Sequence, residues 1–204
     1  MARIKNESMP YYDEGVKRER MLVDSYIQEN KANPLGIYLY YSRVFQRKDF
    51  PTEEEITMER EYIRSFGEMA QASSSFMKME KDLLRYEDCA IGHEAPEIIG
   101  KDTLGNELRL SDLRGNYVLV DFWNSYCHWC REETPALKRA LEHFAGKNFK
   151  ILGVSSDRVK KLWLDAIHED GSYWDHLMLE KGDDVMDRYC IKGIPYIILV
   201  GPDG

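Results

Sequence analysis

Cys127 and Cys130 are the residues of this sequence whose type and spacing point most directly to chemistry. Two cysteines three residues apart on a helix lie on the same face, and their sulfur atoms can form a disulfide. The pair follows an apolar run at 117–123 and precedes apolar residues at helical spacing. We therefore place it where a buried strand meets the beginning of a helix.

This placement predicts thiol–disulfide exchange. Free N–H groups and the positive end of the dipole at a helix N-terminus stabilise a thiolate, so the pKa of a cysteine there falls from about 8.5 to roughly 3.5–7.5. Cys127 is then the nucleophile that attacks a substrate disulfide, and Cys130, one turn deeper, resolves the mixed disulfide.

Other uses of a cysteine pair fit the sequence less well. A zinc site needs a second pair of ligands, and neither Cys89 nor Cys190 has a neighbour at suitable spacing. A c-type haem site needs histidine directly after the second cysteine, where this chain has Arg131. We therefore predict no metal and no cofactor beyond the redox-active disulfide itself. A pair of reduced structural thiols is the remaining alternative.

Composition narrows the class of partner. The 204 residues carry a formal net charge of −8, which argues against nucleic acid or an anionic membrane surface as the main partner. The first twenty residues contain no apolar core of a signal peptide, and no later run approaches the roughly 18 apolar residues of a spanning helix. Four cysteines are too few for a disulfide-stapled scaffold.

Residues 1–90 are predicted to form an all-helical N-terminal region. Asn33 and Pro34 are typical of a cap and a first-turn proline, and Thr52 with Glu55 forms the pattern of a capping box. The region contains no nucleophile–base pair and no metal-ligand spacing. Its tyrosine and methionine residues indicate core and interface packing. The alternative is a surface that recognises a partner or covers the active site.

Residues 91–204 are predicted to form an α/β domain. Its expected elements are a hairpin around 102–106, strands at 117–123, 150–155, 176–179 and 195–200, and helices at 127–145, 159–169 and 185–189. The alternation of strands and helices predicts parallel strands. In the helix at 159–169 we expect Leu162, Trp163 and Ile167 to face inward.

The last residues, Gly201 to Gly204, form a turn pattern that normally leads into a returning strand. We therefore expect the domain to be incomplete at its C-terminus, with a strand and a helix of the fold missing. Without them, the apolar run at 196–200 would be an exposed sheet edge.

Several motifs resemble those of one family when taken together. They are Asp121-Phe122-Trp123 before Cys127-x-x-Cys130, Gly92-x-x-Ala95-Pro96, the run from Leu110 to Gly115, and Gly193-Ile194-Pro195. The segment from 92 to 204 resembles the thioredoxin superfamily, and within it the TlpA/ResA-like, AhpC/TSA-related thiol–disulfide oxidoreductases. The resemblance implies a thioredoxin-like fold, a central mixed sheet flanked by helices.

The resemblance also implies roles for further site residues. Pro195 corresponds to a cis-proline that faces the cysteines and presents the backbone of Ile194 to substrate; a trans proline beginning an edge strand is the alternative. Asp121 corresponds to a buried acid that accepts the proton of the resolving cysteine, unless it is a half-exposed strand carboxylate. Glu133 is a second candidate acceptor, or a favourable acid in the first helical turn.

The dipeptide between the cysteines departs from the family pattern, which has proline before the second cysteine. Here the residues are His128 and Trp129. A protonated His128 would favour the thiolate and make the disulfide more oxidising, and Trp129 adds an apolar surface. We predict that Trp123, His128, Trp129 and Ile194 contact substrate.

The predicted function is a thiol–disulfide oxidoreductase that exchanges disulfides with protein substrates, in either redox direction. The resemblance implies the periplasm or cell envelope of a bacterium, with a membrane thiol–disulfide relay as electron donor. A peroxiredoxin-like peroxidase is one alternative, but its Pro-x-x-x-Thr/Ser-x-x-Cys pattern fails before both cysteines. A redox-inactive binding or chaperone module of the envelope is the other.

Overall fold

The computed structural model describes residues 9–48 and 52–204, with the backbone alone for residues 9–13. The chain divides between Ile91 and Gly92 into two compact units. Residues 1–8 of the predicted helical region lie outside the described part. None of the described helices is long and apolar enough to cross a membrane.

The N-terminal unit is built from helices. They are α1 (Met9–Glu29), α2 (Pro34–Arg43), α3 (Glu53–Arg64), α4 (Glu68–Gln71) and α5 (Ser74–Asp88), with a 3-10 turn at Phe45–Arg47. Asn33 caps α2 by accepting a hydrogen bond from the Leu35 N–H, and Pro34 occupies its first turn as predicted. The buried core residues include Ile27, Ile37, Ile56, Ile63, Phe66, Met79 and Leu83. The single turn α4 was not predicted, since four residues carry too little periodicity to be recognised.

The predicted capping box at the start of α3 is confirmed. The Thr52 hydroxyl accepts a hydrogen bond from the Glu55 N–H at 3.3 Å, and the Glu55 carboxylate accepts one from the Thr52 N–H at 3.2 Å. Thr52→Ala should therefore lower the free energy of unfolding by about 1 kcal/mol. Urea unfolding followed by circular dichroism measures this change. Thr57→Ala, on the exposed side of the same helix, is the control and should cause no loss, because alanine has the higher helix propensity.

The C-terminal unit contains a six-stranded sheet. Its strands are β1 (Ile99–Asp102), β2 (Glu107–Arg109), β3 (Tyr117–Trp123), β4 (Phe149–Ser155), β5 (Asp175–Met178) and β6 (Tyr196–Val200). Their spatial order is β2-β1-β5-β4-β3-β6. The pairs β3–β4 and β4–β5 are parallel, whereas β6 is antiparallel to β3, and β1 is antiparallel to both β2 and β5. The predicted thioredoxin-like mixed sheet is confirmed.

The prediction of parallel strands was wrong for β6. The connection from β5 to β6 holds only a one-turn helix, α8 (Val185–Arg188). It does not carry the chain back along the sheet, as a parallel crossover requires, so β6 begins at the edge where β5 ends and runs in the opposite direction. In the described residues β6 pairs with β3 alone. The expected further strand and helix stay a prediction.

Helices α6 (His128–His143) and α7 (Lys160–Asp170) complete the unit. Successive side chains of β3 point to opposite faces of the sheet. Val118, Val120 and Phe122 belong to one buried cluster, and Trp123 to another that contains Cys130, Trp163 and Ile167. Leu162 was wrongly predicted to face inward: its exposed fraction is 37%, because Trp163 and Ile167, one turn apart, define the inner face of α7.

Candidate active site

Cys127 and Cys130 form a disulfide at the N-terminus of α6, with their Cα atoms 5.3 Å apart. Cys127 is the N-cap residue, and its sulfur accepts a hydrogen bond from the Cys130 N–H at 3.1 Å. Cys127 is half-buried, whereas only 3% of Cys130 is exposed. Cys127 is therefore the more accessible residue of the pair, and the order of attack stays a prediction.

The Ile194–Pro195 peptide bond is cis, as the resemblance implied. Ile194 packs against the buried cluster that includes Cys130, and Cys127 packs against the same cluster. Ile194 and both cysteines, which lie about 65 residues earlier in the chain, thus belong to or border one buried cluster.

Asp121 is buried in β3, with 5% of its surface exposed. Burial and, as a smaller cause, the charge of Glu133 together raise its pKa to about 7. In the part of the chain that the structure describes, Asp121 Oδ1 and Glu133 Oε2 are buried oxygens without a hydrogen-bond partner. The structure thus brings the two predicted proton acceptors within electrostatic reach of each other, and the pKa of Asp121 suits proton transfer near neutral pH.

Asp121, Gly153 and His176 form a row across β3, β4 and β5. A Cβ atom at Gly153 would lie 2.2 Å from His176 Nδ1 and 3.1 Å from Trp123 Nε1, so this position requires glycine. Burial lowers the pKa of His176 to about 4, and its Nε2 donates a hydrogen bond to the Ser172 carbonyl at 2.8 Å. His176 is therefore a neutral, structural residue of this face.

The predicted substrate-contacting side chains divide into two kinds. Trp123 belongs to the same buried cluster as Cys130 and has only 5% of its surface exposed, so it offers substrate almost no surface, contrary to expectation. Trp129 is 69% exposed, and the His128 side chain is 74% exposed. His128 Nε2 lies 3.1 Å from a carboxylate oxygen of Glu132, one turn along α6, so its imidazole is directed toward an acid.

Sequence reasoning missed two polar contacts beside the disulfide. Arg131 donates two hydrogen bonds to the Asp170 carboxylate, at 2.8 and 2.7 Å, which join α6 to the last turn of α7. These bonds, with the one to Glu169, raise the pKa of the Arg131 guanidinium. Asp157, which is 3% exposed, accepts hydrogen bonds from Ser125 in the loop before Cys127. No local spacing signals either contact, because the partners lie 32 or more residues apart.

In the described residues, no group of three or more His, Cys, Asp or Glu side chains could hold a metal ion. Cys89 and Cys190, which lie outside the disulfide, are both half-buried. Cys190 has a φ of 53°, an unusual value for a residue other than glycine. It follows α8 in the loop that leads to Pro195.

Comparisons with known proteins agree with this site. The family described as the AhpC/TSA family matches residues 91–204. The thiol-disulfide oxidoreductase ResA of Bacillus subtilis is 28% identical over 118 residues, which are 58% of this chain and 65% of that protein. The chain thus spans slightly less than two thirds of the length of this relative.

Two solved structures are more similar in sequence. The thioredoxin domain of a thiol-disulfide oxidoreductase from Bacteroides vulgatus is 51% identical, covers 56% of this chain and 84% of its own, and superposes with a TM-score of 0.55. A thiol:disulfide interchange protein from a Bacteroides species is also 51% identical, with coverage of 56% and 77% and a TM-score of 0.54.

These relatives bear out, at the level of the family, the prediction of a thiol–disulfide oxidoreductase enzyme. The match to the family covers more than half of the chain, and the fold and the cysteine pair agree with it. The chain belongs to the AhpC/TSA family, as a TlpA/ResA-like member of the thioredoxin superfamily.

Proposed function

We propose that this chain is an enzyme that exchanges disulfides with protein substrates through Cys127 and Cys130. The observation that carries the proposal is the disulfide at the N-terminus of α6, with Cys127 as the N-cap and the more accessible partner. Free N–H groups at this position stabilise a thiolate. The names of the similar proteins give further support.

The first step of substrate reduction is attack by the Cys127 thiolate on one sulfur of the substrate disulfide. The substrate S–S bond breaks, a bond forms between that sulfur and Cys127, and the second substrate sulfur leaves as a thiolate that takes up a proton. Trp129 and His128, between the two cysteines, are exposed, and Ile194, before the cis-Pro195, packs against the buried cluster that contains Cys130. We propose that Trp129, His128 and Ile194 contact the substrate chain.

The second step is attack by Cys130 on the sulfur of Cys127. Asp121 accepts the Cys130 proton, for which a pKa of about 7 suits it. The mixed disulfide breaks, the Cys127–Cys130 disulfide forms, and the substrate leaves with two electrons. Glu133 sets the charge next to Asp121 and is the alternative acceptor. Substrate oxidation follows the same steps in reverse.

We further propose that the chain works in the periplasm or cell envelope of a bacterium. A membrane thiol–disulfide relay would then return electrons to the Cys127–Cys130 disulfide. The resemblance to TlpA/ResA-like proteins supports both proposals. Residues 1–90 are proposed to form a helical domain that precedes, along the chain, the thioredoxin-like domain at 91–204. Its exposed side chains, among them Met58 and Met69, are available to a partner.

Two other functions make different predictions. A peroxiredoxin-like peroxidase would be oxidised rapidly by hydrogen peroxide in the absence of a disulfide substrate. A redox-inactive binding or chaperone module would be unaffected by loss of Cys127. The disulfide at the end of a helix favours neither alternative.

Equilibration with glutathione redox buffers tests the proposal. We expect a reversible two-electron couple that involves both Cys127 and Cys130. Alkylation of the free thiols and mass spectrometry measure the oxidised fraction of each cysteine. A reduction potential near about −270 mV would mark a reductant and one near about −120 mV an oxidant. The proposal fails if no reversible couple that contains Cys127 is found.

A further inference from the structure

Asp157 is a buried carboxylate close to the reactive cysteine that takes no part in the exchange steps described above. It follows β4 and has 3% of its surface exposed. Its oxygens accept hydrogen bonds from the Ser125 N–H at 2.9 Å, the Ser125 hydroxyl at 2.6 Å and the Ser155 hydroxyl at 2.7 Å. A buried carboxylate is stable only where such donors replace water. These contacts therefore fix the carboxylate in one position.

Asp157 is in turn held by a rigid element. Its own N–H donates to the Ser155 hydroxyl at 3.0 Å, and Ser155 is completely buried at the end of β4. That strand pairs along its whole length with β3, up to the pair of Trp123 and Ser155. The position of the carboxylate is therefore set by the sheet.

Ser125 transmits this position to the site. Both of its donors point to Asp157, and it lies two residues before Cys127. The Cys127 N–H closes the same short loop by donating to the Asn124 carbonyl at 3.1 Å. A second tether supports the loop, since the Asn124 amide donates to the Ser156 hydroxyl at 3.4 Å. The residue that carries the reactive sulfur is thus attached to the end of β4.

We propose that Asp157 is a positioning residue for Cys127. Through Ser125 it holds the sulfur of Cys127 at the free N–H groups of α6, where the thiolate is stabilised. The favourable interaction with a helix end is confined to its first turn, so a displaced loop loses it. Without the tether, the pKa of Cys127 should rise and its attack on a disulfide should slow. This inference rests on the proposed function, because it assigns a role in the same reaction.

The experiment uses the reduced full-length chain and four variants. Asp157→Ala removes both hydrogen bonds between this carboxylate and Ser125. Asp157→Asn keeps the shape and an acceptor oxygen, and Ser125→Ala removes the hydroxyl bond alone. The matched control is Asp112→Ala, which removes another turn-capping carboxylate of the same unit, hydrogen-bonded to the Arg109 N–H at 2.9 Å. The readouts are the pH dependence of Cys127 alkylation, resolved by mass spectrometry, and the rate of reaction with oxidised glutathione.

We expect Asp157→Ala to raise the pKa of Cys127 by about one unit and to slow exchange by roughly tenfold or more. Ser125→Ala should have a smaller effect in the same direction, and Asp157→Asn should recover part of the loss. Asp112→Ala should lower the melting temperature without moving the pKa of Cys127. A residue that only stabilised the fold would behave like this control.

The inference is overturned if Asp157→Ala is folded and the pKa of its Cys127 is that of the parent chain. If Asp157→Ala does not fold, Ser125→Ala and Asp157→Asn provide the test. The inference is then overturned if the pKa of Cys127 is unchanged in both of these variants. The proposed function fails by a separate result, the absence of a reversible couple in the unsubstituted chain. Alkylation of Cys127 still measures the positioning effect in that case.

Discussion

Cys127→Ser is expected to abolish the reduction of insulin disulfides, with a loss of roughly a thousandfold or more. Serine at the N-cap still accepts the hydrogen bonds that begin a helix, so α6 should form as before. Its hydroxyl is not ionised at neutral pH, however, and cannot attack a disulfide. Insulin precipitation in the presence of a thiol reductant measures the rate. An unchanged rate in Cys127→Ser would instead support a binding module.

Cys130→Ser should give a different result from Cys127→Ser. The first attack remains possible, but the mixed disulfide cannot be resolved, so it should accumulate and be visible by mass spectrometry. Cys89→Ser is the matched control, since Cys89 lies in the N-terminal unit outside the proposed site. This variant should reduce insulin at the rate of the parent chain. Accumulation of the adduct on Cys130 in Cys127→Ser would reverse the assigned roles.

Asp121→Asn is expected to stabilise the fold above neutral pH while it slows the reaction. The pKa of Asp121 is about 7 in the folded chain, against 3.8 for an ordinary aspartate. Between these values unfolding releases a proton, so the contribution of Asp121 to stability falls as pH rises from about 4 to about 7. Asparagine avoids this cost. The gain in the free energy of unfolding should reach at most about 4 kcal/mol above pH 7 and vanish below about pH 4.

The same substitution removes the proposed proton acceptor. Resolution of the mixed disulfide should slow by roughly 10²-fold or more, and the dependence of the rate on a group of pKa about 7 should disappear. Urea unfolding at pH 4 and pH 8, with stopped-flow kinetics at the same values, measures both effects. The control is Asp165→Asn on the exposed side of α7, where Asp165 pairs with Lys161. The free energy of unfolding of Asp165→Asn should differ little from that of the parent chain, and by a similar amount at pH 4 and pH 8. Equal stability of Asp121→Asn and the parent chain at pH 8 would contradict the prediction.

The parts of the fold that could be predicted from the sequence are those with local signals. The capping box of Thr52 and Glu55 involves residues three apart, and the strand and helix around the cysteine pair each have their own periodicity. The disulfide follows from the same spacing. The cis bond before Pro195 could not be predicted from local signals. Only the resemblance to a family implied it.

The parts that could not be predicted depend on contacts between distant residues. The direction of β6 follows from the path of its connection, which leaves no trace in the hydrophobic pattern. The burial of Trp123 depends on α7, which packs Trp163 and Ile167 against it. Arg131 and Asp157 find their partners across 39 and 32 residues. Single polar residues at such distances are indistinguishable from solvated ones until the fold is known.

The alternation of side chains along β3 has a consequence for how this protein family can vary in length. Trp123 lies on one face of the strand with Asp121 two residues before it, whereas Phe122 packs into the cluster on the other face. Insertion of a single residue between Val118 and Asp121 would exchange the two faces. Asp121 would leave the neighbourhood of Glu133 and enter the apolar cluster that holds Phe122, and Trp123 would leave the cluster that holds Cys130. Core and chemistry would be lost together. Homologues should therefore keep a constant number of residues from Val118 to Cys127, while the hairpin turn at 102–106 is free to grow or shrink.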